Sequence, residues 1–148
     1  MQLSSKQCGF SLIELIAVLI IVGFITATAT STLIPSTSFQ LQASRDQVVT
    51  AFFSAQQRAM VQQDAVAVFA SANQIDIRQD SNNDSTFAAS ESIRVGGVQY
   101  PIALMANQTL SSATFQFDKL GYTTAGALTL SQSGANVVIN VTATGYVY

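Results

Sequence analysis

The 148-residue chain has no histidine, no tryptophan and one cysteine, and its charged residues make up only 9%. Without histidine it lacks the commonest general base and the commonest transition-metal ligand. The single thiol, Cys8, leaves no disulfide within the chain and no cysteine cluster for zinc. Six Lys and Arg against eight Asp and Glu give a net charge of −2 with no basic run. That balance offers no electrostatic footprint for nucleic acid. There is no Ser-His-Asp set and no phosphate-cradling glycine loop, and the acids Asp46, Asp64, Asp76 and Asp118 fall on different predicted elements. The composition reads as that of a protein that is not an enzyme.

What the chain has in excess is apolar surface. Apolar residues reach 49%, an unusual share beside so little charge. One segment accounts for most of the imbalance: residues 10–34 carry a single charge, Glu14. As a helix, such a run would span roughly 37 Å at ~1.5 Å per residue, enough to cross a hydrocarbon core ~30 Å thick. Before it stands a short polar leader, residues 1–9, with one cation, Lys6. A secretory signal cleaved after Ala29 would share the polar start and the apolar centre, and the mature product would then be an exported soluble binding protein. Glu14 distinguishes the segment from both a disposable signal and a plain anchor. A carboxylate inside a membrane helix costs on the order of 2.5–3.5 kcal/mol at the centre and less towards an end, so it implies a function and a partner.

Gly9-Phe10-Ser11-Leu12-Ile13-Glu14, at the edge of the apolar run, resembles the processing site of type IV prepilins and type II secretion pseudopilins. The resemblance implies that a prepilin peptidase cuts between Gly9 and Phe10 on the cytoplasmic side and N-methylates Phe10. It also implies that Glu14 is the fifth mature residue and sets assembly register. Cleavage would create an ammonium on Phe10, and Glu14 of one subunit could neutralise the Phe10 ammonium of a neighbour when helices stagger in a filament. A buried pair of this kind is weak evidence for stability, but a charge left alone among apolar helices costs several kcal/mol, so the pair selects one axial offset.

Pro35 predicts an interruption near Leu33–Ser36. From Ser38 the helical period resumes over residues 35–64, with Leu41, Val48, Phe52, Ala55 and Ala59 on one stripe and Val49, Phe53 and Met60 beside it. Residues 65–148 read as a β-rich head. Candidate strands are Val66–Ser71, Gln74–Gln79, Ser92–Val95, Val98–Ile102, Thr114–Phe117, Ala127–Ser131, Val137–Thr142 and Tyr146–Tyr148. The expected fold is α+β: a long N-terminal helix, its first half (10–34) transmembrane, packed on an antiparallel β-sheet or small β-sandwich head.

Within the head, Phe117-Asp118-Lys119-Leu120-Gly121, Gly126-Ala127-Leu128-Thr129-Leu130, Val137-Val138-Ile139-Asn140-Val141 and Thr144-Gly145-Tyr146-Val147 resemble the H-type minor pseudopilins and related fimbrial-T-type and MSHA-type minor pilins. Many of those relatives place a basic residue after the final Thr-Gly, where this chain has Tyr146, which counts against a DNA-binding tail. The resemblance implies a structural subunit of a type IV pilus, an MSHA-like pilus or a type II secretion pseudopilus, minor in copy number, with a major subunit as the alternative. Its partners would be the prepilin peptidase, other subunits and the inner-membrane assembly platform. It would sit in the inner membrane as a single-pass protein with a periplasmic head before entering the filament.

One loop has a second reading. Asp80, Asn82, Asp84 and Glu91 stand at positions 1, 3, 5 and 12 of a calcium-loop pattern. Position 6 is Ser85 where the pattern wants glycine, and strands flank the loop instead of helices. An Asn/Asp-rich hairpin loop explains the same residues. Calcium is the one cofactor the sequence suggests.

Overall fold

The computed structural model describes residues 11–29, 37–62 and 64–148. The chain divides into two units, Met1–Pro35 and Ser36–Tyr148. The leader, Gly9, Phe10 and the interruption expected near Leu33–Ser36 lie outside the described residues.

The first unit contributes one helix, α1 (Leu12–Ala29). It is rich in Leu, Ile and Val, and β-branched residues are only moderate helix formers in water. In an apolar medium the helix is favoured because it satisfies every backbone polar group within itself. Thr26, the first polar side chain after Glu14, folds its hydroxyl back onto the Val22 carbonyl (2.9 Å) and the Gly23 carbonyl (3.0 Å).

The second unit opens with α2 (Thr37–Gln62), whose buried positions are Leu41, Ser44, Val48, Ala51, Phe52, Ala55 and Ala59. Steps of three and four along that series draw a stripe down one side, which meets the sheets. The five stripe residues expected from the periodicity are all buried, while Phe53 and Met60 beside them are exposed. Small Ala51, Ala55 and Ala59 allow the helix to approach closely, and Phe52 fills the space between strands. Its ring meets Phe115 edge-on at 5.1 Å and Phe117 at 6.3 Å between centroids.

The head is antiparallel throughout. One sheet has the order β5-β2-β1-β7, made from β1 (Val66–Ser71), β2 (Gln74–Gln79), β5 (Ile102–Ala103) and β7 (Ala113–Phe117). A second, ordered β6-β8-β9, comprises β6 (Gln108–Leu110), β8 (Gly126–Gln132) and β9 (Ala135–Val141). A small hairpin joins β3 (Arg94–Val95) to β4 (Val98–Gln99). Helix α2 packs on strands of both larger sheets. The sheets are tied together where the Leu110 N–H of β6 donates to the Ala72 carbonyl of the β1–β2 turn (2.9 Å).

Register follows from the turns. Ser133 (φ 51°) and Gly134 (φ 84°) are both left-handed and join β8 to β9, so Gln132 faces Ala135 across a two-residue turn. Gly96 (φ 58°) and Gly97 (φ 84°) do the same between β3 and β4. Both fit the mirror-image turn that matches strand twist.

The strands differ from the sequence expectation where pairing, and not composition, decides. The run expected over Val98–Ile102 is split into β4 and β5 around Pro101, which has no N–H to give a ladder. Ser92–Val95 shortens to β3, although Ser92 still bridges Arg78. Tyr146–Tyr148 is a single bridge, Val147 opposite Val141. Gln108–Leu110, mostly polar and three residues long, is a strand that the sequence pattern did not mark.

Candidate functional site

The first candidate is the start of α1. The Ser11 carbonyl accepts the N–H groups of Glu14 (3.0 Å) and Leu15 (3.2 Å), so the helix begins immediately after Ser11. Glu14 is therefore in the first turn, where unpaired N–H groups and the helix dipole favour a negative charge. Among the described residues Glu14 forms no ion pair. The apolar side chains of α1 face outward on every side: Leu12 is 77% exposed, Ile20 64% and Phe24 75%. A helix that is apolar all round belongs inside another apolar environment. At 18 residues the described helix measures about 27 Å. Among the described residues no helix is long and apolar enough to cross a membrane.

The second candidate is the loop after β2. Asp80 is buried, and its carboxylate accepts the N–H of Asp84 (3.1 Å) on one oxygen and that of Ser85 (3.0 Å) on the other. Asn82 Oδ1 accepts the Asp84 N–H (3.0 Å), while its amide donates to Asp84 Oδ2 (3.0 Å). Asp84 Oδ1 accepts the Thr86 N–H (2.8 Å) and hydroxyl (2.6 Å). The Thr86 hydroxyl and then the Thr86 N–H hold the Asp84 carboxyl below its ordinary range; desolvation opposes them, and the Asn82 amide adds a lesser lowering. Glu91 accepts the Ala88 N–H (2.9 Å) through Oε2, closing a single 3₁₀ turn at Ala89–Glu91. Each proposed ligand thus already serves the loop's own amides or side chains. No group of three or more Asp, Glu, His or Cys able to hold a metal occurs among the described residues. Left-handed Asn83 (φ 58°) and Ser85 (φ 62°) turn the backbone inward around the Asp80 carboxylate, without the glycine a calcium loop needs.

The comparisons with known proteins bear on the first candidate and on the fold. Residues 4–30 match the prokaryotic N-terminal methylation motif. The chain is similar in structure to the type IV minor pilin FimU of Pseudomonas aeruginosa PAO1, in two crystal forms. For one, the TM-score is 0.54 at 17% identity, covering 73% of this chain and 86% of the FimU chain. For the other, it is 0.53 at 15% identity, covering 72% and 90%. The chain thus carries that motif and shares the fold of a type IV minor pilin. No curated protein matches it in sequence.

The motif covers the expected cleavage residues Gly9 and Phe10, which lie outside the described residues, and Glu14, which the structure places in the first helical turn. The structure also brings together groups that sequence reasoning did not find. Gln56 of α2 donates to the carbonyls of Gly121 and Thr144, both at 2.9 Å, pinning two loops of the head to the helix. Buried Asp76 accepts Arg78 Nε (2.7 Å) and the Ser92 hydroxyl (2.8 Å). The Arg78 guanidinium lies 4.2 Å from the Phe69 ring centre and donates to the Phe87 carbonyl (2.9 Å). These groups fasten the loop over the outer face of β1 and β2, where Ala67 is buried and Phe69 and Ser71 are half-buried. The only sequence signal was the alternation in Gln74–Gln79, whose polar members Asp76 and Arg78 share the face opposite Ile75 and Ile77. Tyr100, buried against α2, has its phenol pushed up by desolvation, opposed by a hydrogen bond with Ser54.

Proposed function

We propose that the protein is a minor pilin or pseudopilin, a structural subunit of a type IV pilus, an MSHA-like pilus or a type II secretion pseudopilus. One observation carries the reading: the methylation motif over residues 4–30 leads into an apolar helix whose only charge, Glu14, sits in its first turn. The pilin-like head supports it. On this reading the precursor waits in the inner membrane, anchored by residues 10–34, with the head in the periplasm. Prepilin peptidase cuts after Gly9 and methylates Phe10, and the assembly platform then passes the subunit into the filament.

Glu14 does the sorting. Its carboxylate is favoured by its own helix start, but in an apolar bundle it still needs a counter-charge. The ammonium of Phe10 on an adjacent subunit supplies one at a single axial offset. The role is mechanical and asks for no catalysis, cofactor or nucleic acid, in keeping with the lack of histidine and the net charge of −2.

The test is Glu14→Ala beside Glu14→Gln in the native host. Both variants should insert and lose residues 1–9, and both should be depleted from sheared filaments. Filaments holding wild-type amounts of either variant would remove the basis of the assembly role.

A further inference from the structure

Three glutamines form a relay between the first turn of α2 and the second sheet. Gln132 Nε2 donates to Gln40 Oε1 at 2.5 Å, and Gln132 Oε1 accepts Gln108 Nε2 at 3.0 Å. Gln108 and Gln132 face each other across β6 and β8, and both are nearly out of solvent, at 4% and 7% exposure. Gln132 uses the two ends of its amide in opposite senses, so reversing it would set donor against donor and acceptor against acceptor. Gln40 lies one turn before Ser44 and next to Leu41, the two residues at which α2 enters the core.

A leucine trio of similar size would bury more apolar surface, so raw stability does not explain the amides. Geometry does. Sliding α2 by one residue moves it ~1.5 Å along its axis and rotates it by ~100°. The apolar stripe opposes such a slip over Val48–Ala59, and at the first turn the relay opposes it as well. Gln40 would swing away and leave buried Gln132 Nε2 without an acceptor, an expensive state in an apolar interior.

We propose that the Gln40–Gln132–Gln108 relay is a register clasp: it fixes where α2 begins on the head and holds its first turn shut. The clasp acts locally, because the rest of α2 is held by its own apolar stripe.

Amide hydrogen exchange on the full-length protein in detergent micelles tests it, comparing wild type with Gln132→Leu and with the double variant Gln108→Leu/Gln132→Leu. The double variant leaves no orphaned Gln108 amide and makes this β6–β8 contact apolar, so it guards against simple misfolding of the single one. In both, the amides of Leu41–Ser44 should exchange about tenfold faster or more, the factor that 1.4 kcal/mol represents. The amides of Val48–Ala59 should keep their wild-type rates. Unchanged exchange at Leu41–Ser44 in the double variant, or acceleration spread evenly along α2, would overturn the proposal.

Discussion

Two glycines with almost the same backbone angle provide a matched test of how the head is held to α2. Gly134 (φ +84°) sits in the open β8–β9 turn, where an added Cβ would meet nothing within 4 Å. Gly145 (φ +79°) sits in the carboxy-terminal turn. There a Cβ would press on the Gln56 amide and lie 2.5 Å from the Gly121 carbonyl oxygen. Alanine at either site incurs the left-handed backbone cost, about 1–2 kcal/mol, less about 0.4–1 kcal/mol from a stiffer unfolded chain. Gly134→Ala should therefore lose about 1 kcal/mol. Gly145→Ala must also push Gln56 off the Gly121 and Thr144 carbonyls, each bond contributing about 0.5–1.5 kcal/mol. Its loss should be about 2–4 kcal/mol. The core is drawn from residues 41–147, so a fragment of residues 36–148 suits urea unfolding followed by circular dichroism, with the two midpoints compared at equal slope. In a Gln56→Ala background the gap between the two variants should narrow, because Gly145→Ala would then have no Gln56 hydrogen bonds left to break. Equal losses for Gly134→Ala and Gly145→Ala would refute the view that Gln56 locks the tail to the helix.

Phe52→Ala should cost about 3–5 kcal/mol, because its fully buried ring meets both Phe115 and Phe117; urea unfolding of the same fragment reads it. The Asp84 carboxyl should titrate below its ordinary value of 3.8 in carbon-detected NMR, and Thr86→Val should move the midpoint upward. Because the folded value is the depressed one, the loop's contribution is present above pH 3.8 and fades as the pH falls through the folded value. Calorimetry with millimolar calcium decides the loop's second reading: no heat leaves the oxygens of Asp80, Asn82, Asp84 and Glu91 to the loop's own N–H groups, whereas a saturable heat shows that they also take a cation.

Much of this architecture was legible in the residues because single physical rules dominate there. The three-and-four spacing of Leu41, Val48, Phe52, Ala55 and Ala59 identifies the buried stripe of α2 without reference to any partner. Strands β1 and β2 fall on their expected bounds, since Val66–Ser71 and Gln74–Gln79 are apolar or alternating and separated by only two residues. Other features depend on contacts distant in sequence. Gln108–Leu110 becomes a strand because β8 offers an edge opposite it. Gln56 meets partners 65 and 88 positions away, and the glutamine relay joins residues 24 and 92 positions apart. No local pattern encodes such pairings.

The loop at Asp80 admits two readings from the same side chains. Acidic and amide side chains at alternating positions suit a cation, but the same oxygens suit backbone N–H groups equally well. With Asn83 and Ser85 left-handed, the amides reach the Asp80 carboxylate first. For the leader, the sequence motif remains the whole source of the reading, because Gly9 and Phe10 lie outside the described residues while Glu14 lies within them.

The central claim is that this chain loses its first nine residues and enters a filament through the helix that follows. Intact-mass and amino-terminal peptide mass spectrometry on protein recovered from sheared filaments and from membranes measures that directly. The expected mature terminus is N-methylated Phe10, in both fractions. A terminus at Thr30, or a chain still carrying residues 1–9 in the filament, would contradict it.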